Sequence, residues 1–420
     1  MQPVKLIVIG AGGRGSTYAE YASHHPEEVQ IVGVAEPREQ YRERFAARHN
    51  LPAHAVFTDW RAVAGAPKFA DGVIITTQDL LHADPAVAFA DLGYHILLEK
   101  PMAPTPAECQ RIVAAALRNQ GIFAVCHVLR YTHYTQQLKA LLDRGRIGEI
   151  ISLQHLEPVG FWHQAHSYVR GNWRNEGLSS SMLLSKSCHD LDWIRYLMGR
   201  RCLQVASFGN LRHFRATEKP VGAADRCLDC AVEATCPYSA PRFYGQLLER
   251  GHSGWLYVLT PAPSAETVTE ALRNGPYGRC VYACDNDVVD HQVVTMLFEG
   301  GATAAFTMTA FTRQRDRETR IFGTQGELYG DGRYLEIYDF LAGQTERIDT
   351  QANRDGAILS GHGGGDEGLM RRFVAALAQQ EPGLILSGPE ETLETHMMVF
   401  AAEVARHESR VVAVEANNLW

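Results

Sequence analysis

The sequence has no excess of basic residues: Lys and Arg number 40 against 48 Asp and Glu, a formal net charge of −8 at pH 7. Nucleic acids and anionic membranes both favour a basic protein surface, so neither is an expected partner. A cleavable signal and a long apolar span are also lacking, which predicts a cytoplasmic protein. The nine cysteines are an odd count, and a reducing compartment argues against a disulfide framework. The sequence shows no repeats and no low-complexity segment.

Hydrophobic residues make up 45% and charged residues 21% of the 420 residues, a mixture typical of globular proteins with a large core. A chain of this length is too long for one ordinary domain, so two or three units are expected. The pattern of apolar runs changes near residue 129. We therefore predict an α/β domain over 1–128 and an α+β domain over 129–420.

A glycine-rich turn follows the first apolar run. Val4–Ile9 is β-branched, as in a buried parallel strand, and Ser16–Tyr21 has a helical pattern. Glycine at position 10 permits a tight turn, glycine at 12 allows a pyrophosphate to approach, and glycine at 15 allows the helix to pack on the strand. Amides at the helix start would hold the phosphates of NAD. The residues of this turn predicted to contact NAD are Gly10, Gly12, Gly13, Arg14 and Gly15.

An acidic residue ends the second predicted strand. Val29–Ala35 is followed by Glu36, about 20 residues beyond the glycine turn, where a carboxylate binds the ribose hydroxyls of a dinucleotide. Because that carboxylate repels a 2′-phosphate, NAD is expected rather than NADP. Arg14 and Arg38 are close in sequence and could weaken this preference. The alternative is a glycine turn with a solvent-facing Glu, which the surrounding β-α-β pattern disfavours.

Strands and helices alternate to about residue 128, which predicts a doubly wound Rossmann sheet. Further strands are expected at 71–77, 94–98 and 123–127. Helices are expected at 85–92 and from a capped start at Thr105-Pro106-Ala107-Glu108 to about 119. Ligands of such sheets bind at the carboxyl ends of the strands. The side chains predicted to reach the dinucleotide from there are Thr76, Thr77, His82, Glu99, Lys100 and His127.

After residue 129, strands joined by short glycine turns predict a large, mostly antiparallel sheet. The expected strands are 150–156, 288–298, 302–311, 320–322, 327–329 and 334–338, and the expected helices are 136–143, 367–379 and 389–407. An insertion that contains cysteines occupies about 210–285. Since a large open sheet needs cover on both faces, a homodimer or homotetramer is expected.

Two side chains are candidates for proton transfer. Lys100 precedes a proline that restricts its backbone, and a lysine fixed near a nicotinamide can move a proton or polarise a hydroxyl. Ser185, His189 and Asp192 are spaced i, i+4, i+7, which places them on one face of a helix that ends near Gly199. A histidine with a carboxylate one turn away has the charge support of a general base. The alternatives are a solvated lysine and a structural histidine.

The glycine turn, the Glu-Lys-Pro motif at 99–101 and the helix that carries His189 together resemble the Gfo/Idh/MocA oxidoreductases. The resemblance covers nearly the whole chain apart from the insertion. It implies that Lys100 and His189 flank the substrate carbon that faces the nicotinamide. Many dehydrogenases of this family have Asp four residues before the histidine, whereas this chain has Ser185 followed by Lys186, which puts the usual Lys-Asp-His relay in question. The catalytic candidates are Lys100, Lys186, His189 and Asp192.

A loop rich in aromatic side chains and hydrogen-bond donors is the candidate substrate site. Such side chains suit a polyhydroxylated or anionic sugar. The predicted substrate residues are Tyr131, His163, Tyr168, Trp173, Arg174 and Lys186. Weaker candidates, each more often structural, are His133, Asp287, His291 and His362.

The insertion carries Cys227-x2-Cys230-x5-Cys236, and Cys280 and Cys284 close it. The first three cysteines and Cys280 could form a structural tetrahedral zinc site. Because the spacing is not a standard two-knuckle pattern, unliganded half-buried cysteines are the alternative.

Three functions are compatible with these residues. One is net sugar dehydrogenation with NAD. Another is redox-neutral glycoside hydrolysis, in which a ring hydroxyl is transiently oxidised, the aglycone is eliminated, water adds and the hydride returns. That route needs additional acid and base groups, so the Ser185-Lys186 replacement favours it. The third is a non-catalytic dinucleotide sensor, which Lys100 and His189 disfavour.

Overall fold

In the computed structural model, which describes residues 2–251, 254–352 and 361–414, the first sheet has six parallel strands in the order β3-β2-β1-β4-β5-β6. The strands are β1 Val4–Ile9, β2 Val29–Ala35, β3 Val56–Phe57, β4 Gly72–Ile75, β5 His95–Leu98 and β6 Phe123–Val125. The helices among them are α1 Gly13–His24, α2 Glu39–Arg48, α3 Trp60–Ala64, α4 Ala83–Asp91 and α5 Pro106–Asn119. The predicted doubly wound Rossmann sheet is confirmed.

Helix α5 starts where the sequence predicts. The Thr105 hydroxyl accepts a hydrogen bond from the Glu108 amide at 3.3 Å, and Pro106 occupies the first turn, where its missing N–H costs nothing. The helix buries Ile112 and Val113 against one face of the sheet. Capping and an apolar stripe therefore fix the helix that leads away from β5.

The second sheet has nine strands in the order β14-β13-β12-β11-β7-β10-β9-β8-β15. Only β7 and β10 pair in parallel, so the predicted, mostly antiparallel sheet is confirmed. The strands are β7 Ile150–Pro158, β8 Cys202–Asn210, β9 His291–Phe298, β10 Thr303–Thr309, β11 Glu318–Gly323, β12 Gly326–Gly330, β13 Tyr334–Asp339, β14 Gln344–Asp349 and β15 Val412–Ala413.

The sequence prediction missed β8, β14 and β15. Strand β14 reads Gln-Thr-Glu-Arg-Ile-Asp and is mostly exposed, so it lacks the alternation of apolar and polar residues that marks a strand. Strand β15 has only two residues. Both strands form by backbone pairing with a neighbouring strand, β13 for β14 and β8 for β15, and such pairing has no local sequence pattern.

Helices of the second half connect the two sheets. They are α6 His133–Asp143, α7 Phe161–His163, α8 Met182–Ser185, α9 Cys188–Met198, α13 Gly365–Gln379 and α14 Pro389–Glu408. Helix α13 packs on the Rossmann sheet, since Leu369 and Phe373 share a core with Leu6 and Val8. Helix α14 contacts α5, α9 and β8. The end of the chain thus covers both sheets.

The insertion is helical in its second half. Its helices are α10 Ala240–Glu249, α11 Leu256–Leu259 and α12 Ala265–Asn274. They enclose a small separate core that includes Tyr244, Val268 and Leu272. None of the helices in the described ranges has the length and apolarity needed to cross a bilayer.

Candidate active site

Residues at the carboxyl ends of β4 and β5 contact the segment that leads to α9. The Lys100 ammonium donates to the carbonyl oxygen of Ser185 over 2.6 Å. Asp79, after β4, accepts hydrogen bonds from the Trp173 indole N–H and the Ser179 hydroxyl, both at 3.1 Å. The strand ends, where ligands of doubly wound sheets bind, therefore meet the predicted catalytic and substrate residues.

The glycine turn has the room and the donors that a dinucleotide needs. A Cβ added at Gly13 would meet no atom within 4 Å, and one at Gly12 would meet only the Arg38 guanidinium at 3.5 Å. Helix α1 begins after Gly12 with no side-chain cap and no acidic residue in its first turn. Its first amides can therefore hold a pyrophosphate. By contrast, a Cβ at Gly15 would lie 2.1 Å from the Gly10 carbonyl oxygen, so glycine is required for the turn itself.

Glu36 lies beside the glycine turn. Its Oε2 accepts a hydrogen bond from the Ala11 amide at 2.9 Å, and Arg38 donates to both carboxylate oxygens, at 2.7 and 3.0 Å. Burial raises the pKa of Glu36, but the hydrogen bonds from Arg38 outweigh burial, and the net pKa is lowered. Arg14 points elsewhere, so its predicted influence on the choice between NAD and NADP is wrong. Of the two arginines, Arg38 alone adjoins Glu36.

Glu99 anchors Arg14 instead of facing a ligand. Its two oxygens accept hydrogen bonds from Arg14 Nε at 2.9 Å and from the Tyr18 hydroxyl at 2.8 Å. Arg14 also forms an ion pair of 2.6 Å with Asp366 on α13. Because these contacts engage the buried carboxylate of Glu99 inside the protein, the structure corrects the prediction that Glu99 binds the dinucleotide. The Arg14 side chain is partly exposed, and its contact with the dinucleotide stays a prediction.

Other strand-end residues shape the loops of the site. The Thr76 hydroxyl donates to the Gly10 carbonyl at 2.6 Å, which holds the glycine turn. The His82 ring contacts the carbonyl oxygens of Pro101 at 2.8 Å and Thr77 at 3.1 Å. His82 is completely buried, so its predicted contact with a dinucleotide is corrected to a role in holding two loops together. Thr77 is half-buried and stays a candidate.

Asp192 binds Arg130 and gives no support to His189. The Arg130 guanidinium donates two hydrogen bonds of 2.7 Å to the carboxylate, and the Thr395 hydroxyl donates a third at 3.0 Å. His127 is completely buried 3.6 Å from the same carboxylate, and burial lowers the pKa of His127 to about 3. The predicted catalytic role of Asp192 and the predicted cofactor contact of His127 are both wrong, because these side chains form a buried cluster between α9 and α14.

The helix predicted to contain Ser185 is divided into α8 and α9. Ser187, with φ −107° and ψ 10°, interrupts the helical backbone. Ser185 therefore ends α8. The prediction that it shares a helix face with His189 is wrong. His189 lies in the first turn of α9, where the positive end of the helix dipole disfavours a second proton on the ring.

His189 is a neutral imidazole beside a cation. Burial first, and then the positive charge of Lys100, lowers the pKa of His189 well below its ordinary value. The ring centroid lies 6.1 Å from that of His362. Its Nδ1 is buried without a hydrogen-bond partner among the described residues. His189 is thus able to accept a proton at neutral pH, and Lys100 lies close enough to share a substrate with it.

A second charged group adjoins the Lys100–His189 pair. Lys186 forms an ion pair of 2.9 Å with Glu157 on β7. Arg317 pairs with the other oxygen of Glu157 at 2.9 Å and also with Asp190. Sequence reasoning found Lys186 but missed the other three members of this charged group, Glu157, Asp190 and Arg317. These residues come from β7, α9 and a loop, so no spacing pattern in the sequence signals their proximity. The only hint was Ser185, which stands where many family members have an aspartate and so indicates that another carboxylate takes its place.

His163, Tyr168 and Trp173 form a line of rings beside Lys186. Their centroids are 5.8 Å apart for the first pair and 6.3 Å for the second. Burial, followed by the charge of Lys186, lowers the pKa of His163 well below its ordinary value. Burial raises the pKa of Tyr168 well above its ordinary value. These rings adjoin the charged group and stay candidates for substrate contact.

Two predicted substrate residues lie elsewhere. Tyr131 is buried in the core and its hydroxyl contacts the Ser387 hydroxyl at 2.8 Å. Arg174 pairs with Asp285 of the insertion at 2.8 and 3.0 Å. The structure therefore corrects the prediction for Tyr131 to a structural role. The predicted substrate contact of Arg174, which is partly exposed, stays a prediction. Among the weaker candidates, His362 alone is brought near His189.

The four cysteines of the predicted zinc site surround one cavity in the insertion. They are Cys227, Cys230, Cys236 and Cys280, around a volume of about 20 Å³. Arg226 and Arg279 pair in an isolated antiparallel bridge, and the Cys280 amide donates to the Asp225 carbonyl at 2.8 Å, so the segments that carry Cys227 and Cys280 run next to each other. The four sulfurs do not form a group whose ligand atoms all lie within 4.8 Å of one another in the described residues. They are therefore more widely spaced than in a closed tetrahedral site.

Two family profiles match most of the chain. Residues 4–127 match the profile described as the Gfo/Idh/MocA oxidoreductase family, NAD-binding Rossmann fold. Residues 139–414 match the C-terminal alpha/beta domain of the same oxidoreductase family. Both halves of the chain, including the segment that carries Lys186 and His189, are thus accounted for by one family.

Individual relatives are more distant. An inositol 2-dehydrogenase of Streptomyces avermitilis is 29% identical over 226 residues, 53% of this chain and 61% of the relative. A 2,7-anhydro-N-acetylneuraminate hydratase of Escherichia coli (strain K12) is 30% identical over 209 residues, 49% of this chain and 53% of the relative. The chain thus spans little more than half the length of these relatives. The structure of a levoglucosan dehydrogenase in complex with NADH and L-sorbose superposes with a TM-score of 0.73 at 19% identity, covering 99% of this chain and 100% of that one.

Proposed function

Since the chain belongs to the Gfo/Idh/MocA oxidoreductase family, we propose that it acts with NAD on a ring hydroxyl of a sugar or glycoside, and that the net reaction is redox-neutral glycoside hydrolysis. The proposal of redox-neutral hydrolysis rests on one observation, the ion pair of Lys186 and Glu157 beside Lys100 and His189. One base and one donor suffice for hydride transfer. The additional pair supplies the acid and base groups that elimination and water addition require.

The glycine turn, the amides of α1 and Glu36 fit the pyrophosphate and the ribose of NAD. Bound NAD would supply the acceptor for a hydride and, at the end of a redox-neutral cycle, its donor. His189, neutral and buried, is suited to accept the proton of the substrate hydroxyl. Lys100 is suited to hold the oxygen of that hydroxyl as it becomes a carbonyl, because its ammonium is fixed by the Ser185 carbonyl.

The second pair is suited to the carbon beside the transient carbonyl. There a C–H is acidic, so a base removes its proton, the electron pair forms a double bond and the glycosidic C–O bond breaks with protonation of the leaving oxygen. Water then adds across the double bond. Glu157 and Lys186, 2.9 Å apart, are one base and one acid for these steps. The hydratase among the relatives also bears a name that denotes addition of water.

The alternative net reaction is NAD-dependent sugar dehydrogenation. The names of the inositol 2-dehydrogenase and the levoglucosan dehydrogenase favour it. A non-catalytic dinucleotide sensor is disfavoured by the Lys100–His189 pair, which a sensor would not need.

Reaction with a panel of aryl glycosides and free sugars in D₂O distinguishes these functions. Hydrolysis by elimination is expected to release the aglycone without build-up of NADH and to leave deuterium on the ring carbon next to the anomeric centre, since the proton removed there is replaced from solvent. Aglycone release is followed by absorbance and the label by mass spectrometry. A simple dehydrogenase yields one NADH per turnover and no label.

A glycosidase that acts by direct displacement serves as the reference, since it gives no label in the same buffer. Product sugar free of deuterium, from active enzyme that holds NAD, would overturn the elimination mechanism and leave the dehydrogenase in its place.

We also propose that Cys227, Cys230, Cys236 and Cys280 bind a structural zinc ion. The cavity among them, about 20 Å³, has room for one water-sized sphere, and an Arg170 N–H points at the sulfur of Cys227 at 3.5 Å. Cysteine sulfurs in a tetrahedral zinc site are about 2.3 Å from the metal. The segments that carry the four cysteines must therefore move closer together when zinc binds.

Protein purified without chelators is expected to contain about one zinc per chain by elemental analysis. Cys230→Ser should lose the metal, because it removes one of four ligands. Cys284→Ser is the matched control, since this half-buried cysteine lies outside the four and should keep the metal content unchanged. Metal-free wild-type protein with reduced thiols would contradict the proposal.

A homodimer or homotetramer is the proposed assembly. Support comes from the open face of the nine-stranded sheet, where Phe208 of β8 and Val293 of β9 are paired opposite each other and both are exposed. An apolar sheet face of this kind is usually covered by another subunit.

A further inference from the structure

The insertion, together with Phe161, Trp162 and Gln314, lines a second cavity. It lies next to the cysteine site, with which it shares Arg170 and Ser239. Its volume is about 790 Å³, within the range of pockets that hold small organic ligands. Aromatic rings form much of its wall: Phe161, Trp162, Tyr238, Phe243 and Trp255. The polar side chains Gln246, Arg250 and Gln314 also line it. Aromatic faces combined with hydrogen-bonding groups are suited to a sugar ring, which presents C–H bonds on its faces and hydroxyls at its edge.

Two tryptophans give this cavity its shape. Trp162 stacks on Phe243 with centroids 4.8 Å apart, and Trp255 meets the Trp162 ring edge-on at 5.1 Å. Both tryptophans are only half-buried. Their rings are therefore fixed by aromatic neighbours while part of their surface is available to a ligand.

The aromatic cavity adjoins the candidate active site. The His163 ring lies 5.0 Å from that of Trp255 and 5.8 Å from that of Trp162, between centroids. The same imidazole is influenced by the charges of Lys186 and Lys100. A ligand that spans from Lys100 past His163 would thus place its second half on the tryptophans.

We infer that this cavity is a subsite for a second sugar ring, so that the substrate is a disaccharide or longer glycoside. This inference rests on the proposed function, because it takes the ring at Lys100 to be the first sugar. The second ring would be the one that leaves on hydrolysis. The insertion then sets the length of the substrate, whereas Lys100 and His189 carry out the reaction.

Calorimetric titration of the NAD-loaded protein with matched probes tests the inference. The probes are cellobiose, maltose and lactose, each compared with its constituent monosaccharides. At least one disaccharide is expected to bind about 10-fold more tightly than either of its monosaccharides. This is the gain in affinity expected from stacking one additional sugar ring on an aromatic side chain. If no disaccharide of the panel binds more tightly than its monosaccharides, the inference is overturned.

Variants test whether the tighter binding of the disaccharide arises in this cavity. Trp162→Ala is expected to remove the advantage of the disaccharide and leave monosaccharide affinity unchanged, and Trp162→Phe should restore part of it. Phe340→Ala, which removes an exposed ring outside the cavity, is the control and should change neither. Equal weakening of both probes by Trp162→Ala would contradict a subsite for the second ring alone.

Lys100→Ala separates this inference from the proposed function. Lys100 does not line the cavity, so the variant should keep the preference for the disaccharide even though turnover is lost. If the wild-type protein binds the disaccharide more tightly but shows no NAD-dependent turnover, the proposed reaction is overturned. The inferred subsite for a second sugar ring would still hold.

Discussion

Lys100→Ala and His189→Ala are each expected to lower turnover by a factor of about 10² to 10⁴, the usual contribution of a positioned acid or base. His189 can accept the hydroxyl proton because burial and the charge of Lys100 keep the ring neutral. Lys100 is held toward the same place by the Ser185 carbonyl. Turnover is measured on the most active probe of the glycoside panel. NAD should still bind to both variants, as measured by calorimetry.

Matched controls are Lys139→Ala and His54→Ala, which replace side chains outside the candidate site. The double variant Lys100→Ala/His189→Ala should lose less than the product of the single losses, since two groups that act on one proton transfer are not additive. Wild-type turnover in either single variant would show that the residue is not catalytic.

Gly12→Val is expected to abolish NAD binding in a protein that still folds. In the ligand-free protein the new side chain has space, since its Cβ would meet only the movable end of Arg38 at 3.5 Å. The backbone at Gly12, φ −71° and ψ −164°, is also open to any residue. The valine would instead fill the place of the pyrophosphate. Calorimetry with NAD measures the loss, and thermal unfolding shows that the fold is kept.

Gly15→Val is the contrasting variant at the same turn. Its Cβ would overlap the Gly10 carbonyl oxygen at 2.1 Å and the Thr76 hydroxyl at 2.7 Å, so the strand and helix must separate and the melting temperature should fall. Normal NAD binding by folded Gly12→Val would show that the pyrophosphate lies elsewhere.

Local patterns were enough to predict the Rossmann half of the chain. The glycine turn, the Thr105 cap and the apolar runs of the strands each act within a few residues, so their outcome can be inferred from sequence. The position of Lys100 at a strand end follows in the same way. A ligand-facing role is predicted for Lys100 because the carboxyl ends of parallel strands always meet at one edge.

Long-range ion pairs could not be predicted. Asp192 was expected to serve His189, one turn away, but Arg130 binds its carboxylate from a distant segment. Likewise Lys186 finds Glu157 on β7. A charged side chain brought out of water pairs with whichever opposite charge the fold brings within reach, and that choice has no periodicity in the sequence.

The backbone at the end of the Rossmann sheet is completed by the far end of the chain. The amide of Val125 in β6 donates to the carbonyl of Ser387 at 3.0 Å, and the Ser387 hydroxyl donates to the Val125 carbonyl at 2.6 Å. Helix α13 meanwhile covers Leu6 and Val8 of β1 with Phe373.

During synthesis, therefore, the nucleotide-binding half leaves the ribosome with part of one face of its central strand uncovered. The outer edge of β6, which pairs on its other side with β5, is unpaired. The nucleotide-binding half must wait for some 250 further residues, about 12 to 50 seconds at ordinary elongation rates, before both are closed. An exposed strand edge is a site of intermolecular pairing for that whole interval. The N-terminal half by itself, expressed as a fragment, would carry the same bare surfaces permanently.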